Sequence, residues 1–70
     1  MKNWIRLERA KKSISQETLG NALGVSRHCI NGVETERYEP SARIAMKIAK
    51  YFGKRVEDIF FLKEEDMPGF

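Results

Sequence analysis

Residues 16–34, QETLGNALGVSRHCINGVE, constrain the fold more than any other stretch of this chain. A pattern of apolar residues at helical spacing precedes Gly24, and a second helical pattern begins after Ser26. Gly24 suits the left-handed position that ends a helix, and Ser26 suits the N-cap of the next helix. Since only Val25 lies between them, the two helices must meet at a steep angle across a tight turn. The pattern therefore predicts a helix-turn-helix motif.

The charge distribution divides the chain into a basic body and an acidic end. Residues 1–55 hold twelve Lys and Arg against five Asp and Glu, whereas residues 56–70 hold one Lys against five acidic residues. This distribution is typical of a face that binds a polyanion, with a separate end turned away from it. A length of 70 residues allows one small domain, whose core is marginal without tight packing or a partner.

The composition argues against export, membrane insertion and catalysis. A single cysteine can form no internal disulfide, and no apolar run has the length of a signal peptide or a membrane span. We therefore expect a cytoplasmic protein. There is no set of Ser, His and acidic residues for catalysis, so an enzyme is not expected. His28 and Cys29 point about 100° apart on a helix and no second pair of such residues exists, so a metal is not expected. The sequence also gives no sign of a cofactor or a small-molecule ligand, and neither is expected.

The first helix is predicted over residues 3–12. Trp4, Leu7 and Ala10 recur on one side at helical spacing, and Ile5 widens that apolar side. We expect this side to pack on the core.

Two further helices are predicted after Pro40. The longer one has Ser41 as its N-cap, carries the clearest helical periodicity in the sequence, and ends at Gly53. Residues 56–60, VEDIF, mark a short fifth helix with acidic residues in its first turn.

The chain is thus divided into a domain of residues 1–62 and an acidic, flexible tail of residues 63–70. The segment FFLK at 60–63 can continue as a short extended segment. Four consecutive apolar residues near this boundary exceed what a short helix can bury within its own chain, and exposed apolar patches mark interfaces. We therefore expect a two-fold contact here. The expected interface residues are Ile59, Phe60, Phe61 and Leu62, with Trp4 and Tyr51 beside them.

Five short helices with a helix-turn-helix at the second and third resemble the lambda-repressor/Cro-like (XRE) regulators. The segments that carry the resemblance are SQETL at 15–19, LGVSR at 23–27, INGVE at 30–34, YEPS at 38–41, AMKIAKYFG at 45–53 and VEDIF at 56–60. The resemblance implies an all-α, five-helix fold of the lambda-repressor type. It also implies a sequence-specific transcriptional regulator, most simply a repressor, that binds a palindromic operator in double-stranded DNA as a homodimer.

Three side chains of the third helix, the recognition helix, are expected to contact DNA bases. Arg27 can bridge O6 and N7 of guanine, Asn31 can pair with adenine, and His28 can donate to or accept from a base. For each of them a phosphate contact is the alternative. Gly32 has no side chain, so we expect the surface that reads bases to be shorter at that position.

A second set of residues is expected to hold DNA phosphates, which position a protein without conferring sequence preference. The resemblance implies that Gln16 also braces the start of the recognition helix. For Arg43 and Lys47, a solvated basic face is an equally open alternative. The expected phosphate contacts are Gln16, Ser26, Thr35, Arg37, Tyr38, Arg43 and Lys47.

The resemblance further implies a partly buried ion pair between Arg9 and Glu34, which would tie the first helix to the third. Glu36 stands where members of the family commonly have Gly. A left-handed Glu36 would cost about 1–2 kcal/mol, so we expect either a strained loop or a rearranged one. Gln is common where His28 stands, and Ala where Gly20 stands.

A protein-interaction module, such as an antitoxin that neutralises a protein partner, is the alternative function. In that interpretation the acidic and aromatic C-terminal segment would be the functional surface, and DNA binding would be secondary.

Overall fold

A computed structural model of the chain describes residues 1–66, which form five α-helices and a two-stranded antiparallel sheet. Residues 67–70, which belong to the predicted acidic tail, lie outside the described residues. In chain order the elements are β1 (Lys2–Asn3), α1 (Ile5–Lys12), α2 (Gln16–Leu23), α3 (Arg27–Glu34), α4 (Ala42–Phe52), α5 (Val56–Ile59), β2 (Phe60–Phe61) and a 3-10 turn (Glu64–Asp66). The predicted five-helix fold is confirmed, and so is the extended segment that follows the fifth helix.

The predicted helix boundaries have the hydrogen bonds that define them. Ser15, Ser26 and Ser41 each accept, through Oγ, the backbone N–H three residues further on, at 2.9, 3.0 and 3.2 Å. Gly24 and Gly53 end α2 and α4 with left-handed φ angles of 73° and 67°. These contacts are local, so the sequence is sufficient to predict them.

The beginning of the chain differs from the predicted first helix. Asn3 lies in β1, where it is paired with Phe60 of β2, and α1 begins only at Ile5. The side chain of Asn3 accepts from the backbone N–H of Ile5 at 3.1 Å and donates to the carbonyl of Val33 at 3.0 Å. Asn3 therefore joins the start of α1 to the end of α3.

The side of α1 that packs on the core is not the predicted one. Ile5 and Glu8 are buried, whereas Trp4 and Leu7 are 48% and 47% exposed and Ala10 is exposed as well. The buried side contains the Glu8 carboxylate, which is close to two lysine ammonium groups at 3.3 and 3.7 Å. The apolar pattern therefore predicted the wrong side, because part of the buried side is ionic.

Two residues expected at a dimer interface belong instead to the core of their own chain. Ile59 is completely buried and Phe60 is 3% exposed, because the pairing of β2 with β1 holds Phe60 against the helices. Phe61 is half-buried and Leu62 is exposed. The buried hydrophobic core consists of Ile5, Leu19, Leu23, Ile30, Val33, Ala45, Ile48, Ala49, Phe52, Ile59 and Phe60.

Arg9 of α1 and Glu34 of α3 are in contact, as the resemblance implied. The Arg9 Nε and Nη2 groups donate to the two carboxylate oxygens of Glu34 at 2.9 and 2.7 Å, and Nη1 donates to the carbonyl of Ile14 at 2.9 Å. The hydrogen bond with Glu34 raises the pKa of Arg9 above its usual value. A bidentate arginine–carboxylate pair of this kind is geometrically specific, so it sets the position of the end of α3 on α1.

We expect the Arg9–Glu34 pair to show strong coupling in a double-mutant cycle measured by urea unfolding. Arg9→Met should cost about 3–5 kcal/mol, because it leaves the Glu34 carboxylate buried and unpaired; the Glu34 side chain is 6% exposed. Adding Glu34→Met should restore part of that loss. Arg55→Met, in a pair whose side chains are 73% and 43% exposed, is the control and should have a small effect. Additive losses at Arg9 and Glu34 would contradict the coupling.

Candidate nucleic-acid interface

The turn between α2 and α3 is closed by a near approach of backbone to backbone at Gly20. The N–H of Val25 donates to the carbonyl of Gly20 at 2.9 Å, and a Cβ at Gly20 would lie 2.8 Å from the carbonyl oxygen of Val25. The absence of a side chain at Gly20 thus allows the backbone of the turn to approach α2 closely, although glycine lowers the helix propensity of α2. Ile30 and Val33 are buried, at 0% and 2% exposure. The opposite side of α3 therefore faces outward.

The residues predicted to contact bases lie on this outward side. Arg27 and His28 are exposed, and neither side chain forms a hydrogen bond or ion pair with any residue from 1 to 66. Their polar groups are therefore available to a ligand. The Oγ of Ser26 accepts the N–H of Cys29, which leaves the hydroxyl proton of Ser26 free to be donated to a phosphate.

Asn31 lies between two residues that were predicted to hold phosphates. The Nη2 group of Arg37 donates to Oδ1 of Asn31 at 3.2 Å, and Nδ2 of Asn31 donates to Oε1 of Gln16 at 3.4 Å. Side chains from α2, α3 and the loop after α3 are thus brought together, although they are as many as 21 positions apart in the sequence.

Gly32 leaves no open gap on α3, although we expected its missing side chain to shorten the base-reading surface. It is buried under the ring of Tyr38, and a Cβ at Gly32 would lie 1.9 Å from Cε2 of that ring. The carbonyl of Gly32 also accepts the backbone N–H groups of Arg37 and Tyr38 at 2.8 and 3.2 Å. The Tyr38 ring meets the ring of His28 edge-on, with centroids 6.2 Å apart. Gly32 therefore serves as the docking position for the loop.

The loop keeps its left-handed residue at Glu36, where φ is 64°. The strained alternative is therefore the one observed, and the loop is not rearranged. The carboxylate of Glu36 is 2.8 Å from the ammonium group of Lys63, and this hydrogen bond lowers the pKa of Glu36. Lys63, which was assigned to the flexible tail, is thus attached to the loop. No local sequence signal indicated this pair, because its partners are 27 positions apart.

Two residues of the predicted phosphate set donate a side-chain hydrogen bond to a backbone carbonyl of the protein itself. The hydroxyl of Thr35 donates to the carbonyl of Asn31 at 2.7 Å, so its single proton is not available to a phosphate. The ammonium group of Lys47 donates to the carbonyl of Leu23, at the end of α2, at 3.1 Å. Arg43 is exposed and makes no such contact within residues 1–66.

The part of the chain that the structure describes contains no group of three or more His, Cys, Asp or Glu residues able to hold a metal ion. None of the helices in residues 1–66 has both the length and the apolar character that crossing a membrane requires.

Residues 5–59 match the helix-turn-helix family. The chain belongs to the XRE helix-turn-helix family of transcriptional regulators. An uncharacterized HTH-type transcriptional regulator of Methanocaldococcus jannaschii is 44% identical over 66 residues, which are 94% of this chain and 100% of that protein. The uncharacterized HTH-type transcriptional regulator YgzD of Bacillus subtilis is 42% identical over 66 residues, with the same coverage of both chains.

A solved member of similar fold is the P22 c2 repressor, crystallised with the synthetic operator 9T. It superimposes with a TM-score of 0.72 at 30% identity, over 76% of this chain and 80% of that one. The XRE family consists of DNA-binding regulators and is not a class of enzymes, which confirms that this chain is not an enzyme. These similarities do not favour the alternative of an antitoxin-like interaction module.

We expect Gly32→Ala to displace the ring of Tyr38 without unfolding the domain, because alanine improves helix propensity by about 1 kcal/mol while its Cβ occupies the ring position. Proton NMR should show a changed chemical shift of the His28 ring, and thermal unfolding should show a folded protein. Tyr38→Phe is the matched control, since it keeps the ring and should leave the His28 shift in place. An unchanged His28 shift in Gly32→Ala would mean that the two rings are not in contact.

Proposed function

We propose that this chain is a transcriptional repressor that binds an inverted-repeat operator as a homodimer. The observation that supports this most directly is the outward side of α3, where Arg27, His28 and Asn31 lie opposite the buried Ile30 and Val33. The major groove of B-DNA admits an α-helix and exposes a different pattern of donors and acceptors for each base pair. The operator complex of the similar P22 c2 repressor adds support.

The proposed base contacts are few. Arg27 is suited to guanine and Asn31 to adenine, with His28 beside them. We propose that only about three or four base pairs in each half of the operator are read directly. The spacing of the two copies of α3 in the dimer would supply the remaining specificity. Two such helices on one face of B-DNA lie one helical turn, about 34 Å, apart.

The proposed phosphate contacts surround these base readers. Gln16, Ser26, Arg37, Tyr38 and Arg43 retain polar groups that can contact a phosphate, and such contacts would set the register of α3 in the groove. Thr35 leaves this set, because its single hydroxyl proton is donated to the carbonyl of Asn31. Lys47 stays in it, because its ammonium group has three N–H donors and only one of them binds the carbonyl of Leu23.

Repression would result from occlusion. A homodimer that covers both halves of an operator would prevent RNA polymerase from using the same DNA. This mechanism needs no ligand and no domain besides the one described.

The proposed dimer contact is an apolar surface formed by Trp4, Leu7, Phe61 and Leu62, which we name the α1–β2 surface. Trp4, Leu7 and Leu62 are 48%, 47% and 46% exposed, and the rings of Trp4 and Phe61 are 5.4 Å apart. Exposed apolar side chains that gather on one part of a surface mark an interface. Tyr51 of the predicted set is half-buried, with its ring edge-on to that of Phe52 and 5.9 Å from Nζ of Lys12, and its part in the dimer contact stays a prediction.

Selection of bound sites from random DNA duplexes, followed by footprinting, tests the proposed function as a whole. The expected result is an inverted repeat whose affinity falls steeply with added salt, because phosphate contacts release counterions. Recovery of no preferred sequence would contradict a sequence-specific repressor.

We expect Arg27→Ala to weaken operator binding by about 1–3 kcal/mol and to relax the preference at one base pair, as the loss of a two-bonded guanine contact does. Arg43→Ala should instead weaken binding to all duplexes equally and reduce the salt dependence. Competition binding against single-base variants of the selected operator separates the two results. If Arg27→Ala keeps the original preference, Arg27 holds a phosphate and not a base.

We expect Phe61→Asp to give a monomer in sedimentation equilibrium and to weaken operator binding, because a carboxylate would be buried in the α1–β2 surface. Leu62→Asp, at a more exposed position, should have the same effect with less disturbance of the fold. Met46→Asp is the control, since Met46 is 63% exposed on α4 and outside this surface. A dimer that persists in both variants would contradict the proposed contact.

A further inference from the structure

We propose that Arg37 is a positioning residue for base reading: it fixes the side-chain amide of Asn31, and through Asn31 that of Gln16, so that Asn31 selects adenine. The inference rests on the proposed function and names one feature of its specificity. A contact to phosphate alone is the competing role for Arg37.

Arg37 determines the orientation of the Asn31 side-chain amide. A guanidinium group can only donate hydrogen bonds, and Nη2 of Arg37 lies 3.2 Å from Oδ1 of Asn31. The oxygen of the amide must therefore be the atom that faces Arg37. Without Arg37, the oxygen and nitrogen of Asn31 could exchange positions at little cost, because the two ends of the amide have nearly the same shape.

Asn31 in turn determines the orientation of the Gln16 side-chain amide. With its oxygen toward Arg37, Asn31 has its Nδ2 group toward Gln16, and an N–H group requires an acceptor there. Oε1 of Gln16 is that acceptor, at 3.4 Å. The Nε2 group of Gln16 is then left free to donate to DNA, which is the role that a phosphate contact needs.

Asn31 keeps hydrogen-bonding groups that are not used by Gln16 or Arg37. Its amide has two N–H groups and an oxygen with two lone pairs, and the contacts to Gln16 and Arg37 use one of each. One donor and one acceptor are left. Adenine offers the complementary pair in the major groove, N7 as acceptor and N6 as donor, whereas guanine offers two acceptors, N7 and O6. The remaining groups therefore match adenine and oppose guanine.

The loop is built to bring Arg37 back to α3. Glu36 reverses the chain with its left-handed backbone, and the next N–H, that of Arg37, donates to the carbonyl of Gly32 at 2.8 Å. The ammonium group of Lys63 holds the carboxylate of Glu36 at 2.8 Å. These contacts explain why a residue with an unfavourable backbone angle stands at position 36: they place the guanidinium group over Asn31.

Competition binding with Arg37→Met on single-base variants of the selected operator tests the inference. The preference for adenine at the Asn31 position should fall about five- to a hundredfold, the range that one two-bonded base contact supplies. The preference at the Arg27 position should stay. Arg43→Met is the matched control, because it also removes one exposed arginine of the proposed phosphate contacts and should weaken binding to all variants equally. In an Asn31→Ala background, Arg37→Met should change no base preference further.

A uniform loss of affinity in Arg37→Met, with the preference for adenine intact, would overturn the inference and leave Arg37 as a phosphate contact. NMR of the DNA-free protein gives a second, independent answer. Arg37→Met should shift the side-chain amide resonances of Asn31 and Gln16, and Arg43→Met should not. If these resonances do not respond, the inference fails even when the protein binds its operator. If they respond but the wild-type protein selects no sequence, the proposed function fails and the inferred base preference fails with it.

Discussion

The hydrogen bonds between Arg9 and Glu34 hold the end of α3 on α1, and the orientation of the whole outward side depends on them. A helix of eight residues is not stable in water by itself, so tertiary contacts must determine where it lies. Ile30 and Val33 supply apolar attachment, and Asn3 binds the carbonyl of Val33. Apolar packing alone tolerates small rotations, whereas a two-bonded guanidinium–carboxylate pair does not. The ion pair therefore sets the angle at which α3 lies on the rest of the domain.

The loop after α3 illustrates how an unfavourable residue is accommodated. A left-handed backbone at a residue with a Cβ costs about 1–2 kcal/mol, and the exposed ion pair of Glu36 with Lys63 contributes too little to offset that. The remaining stabilisation comes from the two backbone hydrogen bonds to Gly32 and from the ring of Tyr38, which packs where Gly32 has no side chain. Strain at Glu36 and the absence of a side chain at Gly32 are thus parts of one arrangement that places the loop beside α3.

The short sheet has two consequences that helices alone would not have. A two-stranded sheet of this size is not stable by itself, and here the buried Phe60 holds it on the helical core. The pairing brings the first residues of the chain beside the last part of the domain, so that Trp4 and Phe61 meet on the outside. The exposed apolar surface is therefore assembled from segments almost 60 positions apart. The backbone pairing also determines which of the consecutive apolar residues 59–62 enter the core and which stay exposed.

The sequence by itself determined the helix-turn-helix motif and most helix boundaries, because the caps at Ser26 and Gly24 depend on groups within a few residues along the chain. The outward side of α3 also followed from the sequence, since helical periodicity separates it from the buried side. Only the tertiary structure decided that Glu8 is buried on α1, that Phe60 belongs to the core, and that Gly32 receives the loop. Glu8 is held partly by Lys54, and Phe60 is paired with Asn3, both distant along the chain. Gly32 is covered by Tyr38, which is near in the sequence but beyond the end of α3. Neither helical periodicity nor capping carries information about which groups of different elements meet.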